Sequence, residues 1–219
     1  MKSYQNLVLL KSLYQYKSLG FSYIDPINVN SDTIDLELPS NTTSLHSHIS
    51  QCHLCDLSKT RNRVLNGFGN IDAKLMFIDA YPSMIEDETG DSFSGNAGVS
   101  LKRMIENVLK LSVNDVYLTH AIKCRPSSTH KVLDSEFSSC KPFLLKQIEL
   151  INPDIIVCLG ELAYTKLIKD SSSFEKVRGQ RIPFEKRILI PIYHPSDLLR
   201  NPSNKVHTMK DLQVIKGLL

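Results

Sequence analysis

The stretch INPDIIVCLGELA, residues 151–163, decides the fold. Asn152-Pro153 ends whatever helix precedes it, because proline clashes with a preceding helical turn and has no N–H to donate. Asp154 to Leu159 is short, nearly continuously apolar and rich in β-branched residues, which suits a strand buried on both faces. Gly160 then permits a sharp turn into a helical pattern that runs to about Lys169. The order helix, buried strand, glycine turn, helix is the repeat of an α/β fold with a parallel sheet.

The same alternation extends in both directions. Upstream, residues 134–151 carry helical periodicity, 115–119 read as a strand, and 96–111 read as a helix with Leu101, Met104, Ile105, Val108 and Leu109 on one side. Residues 74–78, KLMFI, are a further buried strand. Downstream, residues 187–192, RILIPI, are another. The predicted architecture is three-layer α/β/α, with a mostly parallel central sheet covered on both faces. In such folds ligands bind beyond the carboxyl ends of the strands. Three polar segments follow predicted strands, at 79–98, 120–126 and 193–200, and they are therefore candidate site material.

The N-terminal part reads differently. Residues 4–19 place Leu7, Leu10, Leu13 and Tyr14 at helical spacing, with Gly20 as a stop. That amphipathic helix is expected to pack on its own domain. Residues 25–44 are polar and rich in turn formers, a linker with a short strand at 34–38. The expected organisation is an N-terminal helix and linker over 1–44 and a single α/β domain over 45–219.

Bulk properties bound the function. The chain has 219 residues, 42% hydrophobic, with 26 basic and 23 acidic residues giving a net charge of +3. A globular fold is expected, and so weak a net charge does not by itself mark a nucleic-acid binder. No run reaches the roughly 18 apolar residues of a membrane span. The start, MKSYQNLVLLKSLYQYKSLG, is interrupted by polar residues and is not read as a signal peptide. Five cysteines without a secretion signal point to a reducing cytoplasm, where clustered cysteines more often bind metal than form disulfides. Cys52 and Cys55 form a C-x-x-C pair, and Cys124 and Cys140 follow further on with fifteen residues between them. Four thiolates suit Zn²⁺ or an iron–sulfur cluster, and spacing alone leaves both open, as well as plain buried thiols. Cys158 sits in an apolar strand and reads as core. His53, inside the C-x-x-C, reads as a solvated loop residue.

Taken together, CHLC (52–55), AKLMFIDAYPSMIEDETGDSFSGNAG (73–98), VYLTHAIKCRP (116–126), CKP (140–142), INPDIIVCLGELA and YHPSDLLRNPSNK (193–205) resemble the family 4, iron–sulfur uracil-DNA glycosylases. The resemblance covers about residues 48–215, in the family's order. It implies a uracil-DNA glycosylase-like fold and a DNA partner. It also implies a [4Fe-4S] cluster on Cys52, Cys55, Cys124 and Cys140, with Zn²⁺ as the alternative. A monomer without membrane association is expected. The implied activity is hydrolysis of the N-glycosidic bond of uracil or a related deaminated base in DNA. The alternative is a catalytically degenerate iron–sulfur DNA-binding protein on the same scaffold.

The resemblance also implies residue roles. Phe93 matches the aromatic that stacks on the flipped base. His194 matches the histidine near uracil O2, where a positioned donor stabilises the departing anion. Leu198, Leu199 and Arg200, after Ser196, match the segment that enters the minor groove. Lys123, Arg125, Arg178, Arg200 and Lys205 are candidate phosphate contacts. Two positions depart from the family. Its first motif, Gly-Glu-x-Pro-Gly, here reads Asp79-Ala-Tyr-Pro-Ser83, so Ala80 replaces the carboxylate, and Asp79 and Ser83 are expected to crowd the loop. His120 replaces the asparagine that reads the base edge. Asp79 and Asp91 are candidate substitutes for positioning water, Asp79 one residue out of register.

Overall fold

The computed structural model describes residues 2–18, 38–168 and 172–219. The chain divides into two compact units, Met1–Pro39 and Ser40–Leu219. In the first, α1 spans Lys2–Ser18, and Val8, Leu10, Tyr14 and Tyr16 are exposed. Gly20, residues 25–37 of the expected linker and most of the expected strand at 34–38 lie outside the described residues.

The second unit begins with α2, Thr42–Ser50, whose N-cap Asn41 accepts a hydrogen bond from the Ser44 N–H. The end of the expected linker therefore belongs to a helix. Six strands form one sheet in the order β1-β3-β2-β4-β6-β5: β1 is Phe68–Gly69, β2 Leu75–Asp79, β3 Tyr117–His120, β4 Ile155–Leu159, β5 Ile182–Phe184 and β6 Arg187–Ile192. The central four, β3-β2-β4-β6, are parallel, and β1 and β5 pair antiparallel at the two edges. The helices between them are α3 (Met84–Thr89), α4 (Gly95–Met104), α5 (Asp134–Ile151), α6 (Gly160–Ile168), α7 (Phe174–Val177), α8 (Pro195–Arg200) and α9 (Asn204–Lys216).

Strand side chains alternate between two cores, as a period of two requires. Met76, Ile78, Ile156 and Cys158 face Leu144 and Ile148 of α5 and Ala163, Tyr164 and Leu167 of α6. Leu75, Phe77, Val157 and Ile190 face Leu101 of α4, Ile105, and Leu212 and Ile215 of α9. Helices thus cover both faces, and the layered α/β expectation holds.

Several boundaries follow from local chemistry. Helix α5 starts where the Glu136 carboxylate accepts from the Leu133 N–H, and ends at Asn152 in the left-handed conformation (φ 50°) before Pro153. Strand β3 begins two residues later than the sequence suggests, because Asp115 closes a turn by accepting from the Ser112 N–H. It also runs one residue further, making His120 its last residue. The helix expected over 96–111 gives way at Ile105 to a wider π turn that ends at Lys110, φ 63°.

Candidate active site and cysteine centre

A cavity of about 520 Å³ opens beyond the carboxyl ends of β2, β4 and β6. Asp79 and Ala80 enter it from the end of β2, Gly160 from the turn after β4, and His194 and Ser196 from the turn after β6. This is where a parallel sheet places a ligand. Gly160 has φ +83°, and a Cβ there would stand 3.0 Å from the His194 Cβ, so glycine lets β4 and the His194 turn approach closely. A smaller cavity of about 330 Å³ lies between α5 and α6 and holds none of the candidate site residues.

His194 is the centre of the pocket's polar network. Its Nε2 lies 2.9 Å from Asp79 Oδ2. Its Nδ1 accepts from the Ser196 backbone N–H at 3.1 Å and lies 2.6 Å from Ser196 Oγ. The histidine therefore also caps α8, whose first residue is Pro195. Burial disfavours charge on both Asp79 and His194, but their pairing outweighs it. The Asp79 carboxyl is held below its ordinary range and the His194 imidazole above its own. Asp79 does not crowd the loop: its Oδ1 accepts from the Ala80 N–H and its other oxygen faces the histidine. Ser83 does not crowd it either, since it caps α3 in a reciprocal arrangement with Glu86.

Glu86 is a buried carboxylate on the pocket wall that sequence reasoning missed. Ser83-x-x-Glu86 is a capping-box pattern and could have flagged it. Its Oε1 stands 3.3 Å from His120 Nε2. His120 is 1% exposed, and neither ring nitrogen has a hydrogen bond. It pairs in register with Asp79 inside the sheet, so it is a buried strand residue, not part of the pocket lining. Ala80 is buried on the lining. Phe93 is buried and meets Phe68 edge to face at 5.7 Å, while its neighbour Ser92 lines the cavity. Gly98 packs on the Phe93 backbone so closely that a Cβ would lie 2.3 Å from its carbonyl carbon. Asp91 is exposed, accepts from the Phe93 N–H and does not line the cavity.

Three of the expected DNA contacts need correction. Lys123 is 1% exposed, with Nζ donating to Thr119 Oγ1 (2.7 Å), the His120 carbonyl (2.5 Å) and Gln147 Oε1 (2.5 Å). An ammonium enclosed in this way reaches no phosphate. Burial pushes its pKa down to about 7. Arg178 donates to both Asp211 oxygens at 2.8 and 2.9 Å and lies near Glu175, so its charge is already matched. Leu198 is 2% exposed and belongs to the core, whereas Leu199 beside it is 50% exposed. Arg200 and Lys205 are exposed, and Arg200 also lines the cavity. Arg125 is partly exposed, 3.9 Å from the fully buried Asp87.

None of the five cysteines is in a disulfide. Cys52, Cys55, Cys124 and Cys140 lie within electrostatic reach of one another: Cys55 feels Cys124, Cys124 feels Cys52, and Cys140 feels both Cys124 and Cys55. Cys158 feels only its burial, as expected of a core residue. Burial raises each of the four, Cys140 to about 12. Arg61 donates to Cys124 Sγ at 2.9 Å, and a bridge from Val64 to Cys124 ties the segment after the C-x-x-C to the exit of β3. Among the described residues no three His, Cys, Asp or Glu side chains are already drawn together as a metal-binding group. Four thiols that influence one another, with a guanidinium beside Cys124, nevertheless have the donor chemistry of a thiolate-ligated centre.

A parallel sheet whose strand ends carry a histidine–carboxylate pocket defines a small class of candidates, and one family model matches residues 66–214: the chain belongs to the uracil DNA glycosylase superfamily. Its relatives narrow this to the type-4 branch. It is 36% identical over 175 residues to a type-4 uracil-DNA glycosylase of Thermotoga maritima, covering 78% of this chain and 91% of that protein. It is 35% identical over 187 residues to that of Saccharolobus solfataricus, covering 82% and 87%. With the protein of Archaeoglobus fulgidus the identity is 33% over 178 residues, 78% of this chain and 89% of the other.

Proposed function

We propose that this protein is a DNA-repair glycosylase that hydrolyses the N-glycosidic bond of uracil or a related deaminated base, leaving an abasic site. The observation that carries this reading is His194, held on the wall of a pocket at the strand ends with its Nε2 bonded to Asp79 and its charged form favoured by that pairing. A base must leave the stack to reach such a pocket. As the bond breaks, negative charge builds on the base, and a preorganised imidazolium beside it lowers that barrier. Ala80 supplies no general base, and losing one costs about 10²–10⁴-fold. Slow excision is therefore expected, driven by stabilisation of the leaving group with late attack by water.

Cys52, Cys55, Cys124 and Cys140 would hold a [4Fe-4S] cluster, with Zn²⁺ as the alternative. The cluster would supply a structural cross-link between the exits of α2 and β3 and the body of α5. DNA is the partner. Leu199 is the apolar wedge, and Ser196, Arg200, Lys205 and Arg125 are the backbone contacts. No helix among the described residues is long and apolar enough to cross a membrane. A monomer acting in the cytoplasm fits this reading, with the segment before Ser40 outside the catalytic domain.

The burial of His120 and the loss of a carboxylate at Ala80 favour a second reading, a DNA-binding scaffold without chemistry. Incubating excess protein with DNA carrying uracil, hypoxanthine or xanthine, and detecting the released base by mass spectrometry, separates the two. Release of a free base supports the glycosylase. Binding without release from any of the three supports the scaffold.

A further inference from the structure

We infer that Asp79 is the positioning residue of His194, holding the imidazole by Nε2 at the wall of the pocket. The position is the one where the resembling family's motif has glycine, so the contact belongs to this chain. The consequence for catalysis rests on the glycosylase reading, whereas the pair itself does not.

The geometry restrains the ring from two sides. A backbone N–H can only donate, so the Ser196 N–H at 3.1 Å makes Nδ1 an acceptor. In the neutral ring the proton then sits on Nε2, directed at Asp79 Oδ2, 2.9 Å away. A second proton, when present, has Ser196 Oγ as its acceptor at 2.6 Å. Gly160, without a Cβ, lets the turn after β4 come close to the His194 Cβ. Asp79 is itself fixed, because its Oδ1 accepts from the Ala80 N–H at 2.6 Å. A ring flip would break both anchors at once.

Other charges face the pair from several elements. Asp197 of α8 and Glu86 of α3 add to Asp79 in favouring the imidazolium, and His120 of β3 favours the Asp79 anion. Glu161 and Arg200 share the same wall. Burial opposes the charged ring, and Asp79 is the largest influence that overcomes it. Asp79 therefore keeps the ring protonated to higher pH than an ordinary histidine while fixing which edge carries the proton.

The test uses the full chain with ¹⁵N-labelled histidine, the His194 signals being assigned by their loss in His194→Ala. In the unsubstituted protein His194 is expected to titrate above the ordinary histidine range and, once neutral, to carry its proton on Nε2. Asp79→Asn keeps the shape and removes the charge, and it is expected to lower the midpoint by about one unit, a tenfold change in proton affinity. Asp79→Glu is expected to restore part of that shift. Single-turnover excision of uracil across the pH range is the second readout. The Asp79→Asn deficit should widen from mildly acidic to mildly alkaline conditions. An unchanged His194 midpoint in Asp79→Asn would overturn the inference, and so would a deficit of equal size at every pH, the mark of a merely structural role. If the unsubstituted protein excises nothing at any pH, the glycosylase reading fails, and the titration still decides the pair.

Discussion

His194 is the residue on which the proposed chemistry turns. Removing a single group from an anion-stabilising site typically costs about 10²–10³-fold, so His194→Ala is expected to slow single-turnover excision by at least that much with little change in DNA affinity. The pair also has a stability signature. The His194 contribution is full below its ordinary value of 6.5 and is lost as pH rises through its raised folded value. The Asp79 contribution is full above its ordinary value of 3.8 and is lost as pH falls through its lowered one. Denaturant unfolding should therefore show the largest gap between the unsubstituted protein and Asp79→Asn between those two values, narrowing in alkali. A buried and an exposed cation give a second contrast. Lys123→Ala leaves Thr119 and Gln147 without their buried partner and should destabilise by about 1–3 kcal/mol without changing the salt dependence of DNA binding. Arg200→Ala should do the reverse, reducing the salt slope by about one phosphate contact.

At the scale of elements, helix ends and close approaches carry the testable consequences. Asn152 sits at φ 50° and its side chain accepts from Arg187 Nη2 at 3.3 Å. Asn152→Ala places a side chain with no local hydrogen bond in the left-handed region and should cost about 1–2 kcal/mol in thermal or denaturant unfolding. Gly98→Ala should displace the Phe93 loop from α4 and lower both stability and excision, because the added Cβ meets backbone, which cannot rotate away. The long elements were legible because their limits have chemical causes. The Asn-Pro after α5 and the unbroken apolar run of β6 match the structure from 134 to 151 and from 187 to 192. The edge strands β1 and β5 have two and three residues, too few for any periodicity to show. Strand β3 was misplaced because Asp115 acts through a turn hydrogen bond that a hydrophobic pattern does not register.

For the whole molecule, the sheet brings together residues that are far apart in sequence, and only part of that meeting was readable. His194 and Ala80 were expected in one pocket because each follows a strand, and they share it. The Asp79–His194 contact depends on the direction in which one side chain leaves the end of β2, and periodicity carries no such information. The burial of Lys123, Leu198 and His120 has the same origin: each lies in a polar motif yet faces inward through strand or helix geometry. The cysteine centre should unite the N-terminal turns with the sheet. Cys124→Ser is expected to lose bound iron and visible absorbance and to lower the unfolding temperature, whereas Cys158→Ser should keep the iron. The most direct test of the central claim is excision itself. Protein purified without air is held in excess over a duplex carrying one uracil, and abasic sites are cleaved with alkali. Strand breakage at the uracil that disappears in His194→Ala is the expected result. A strand left intact by the unsubstituted protein, while the DNA is still bound, would contradict it.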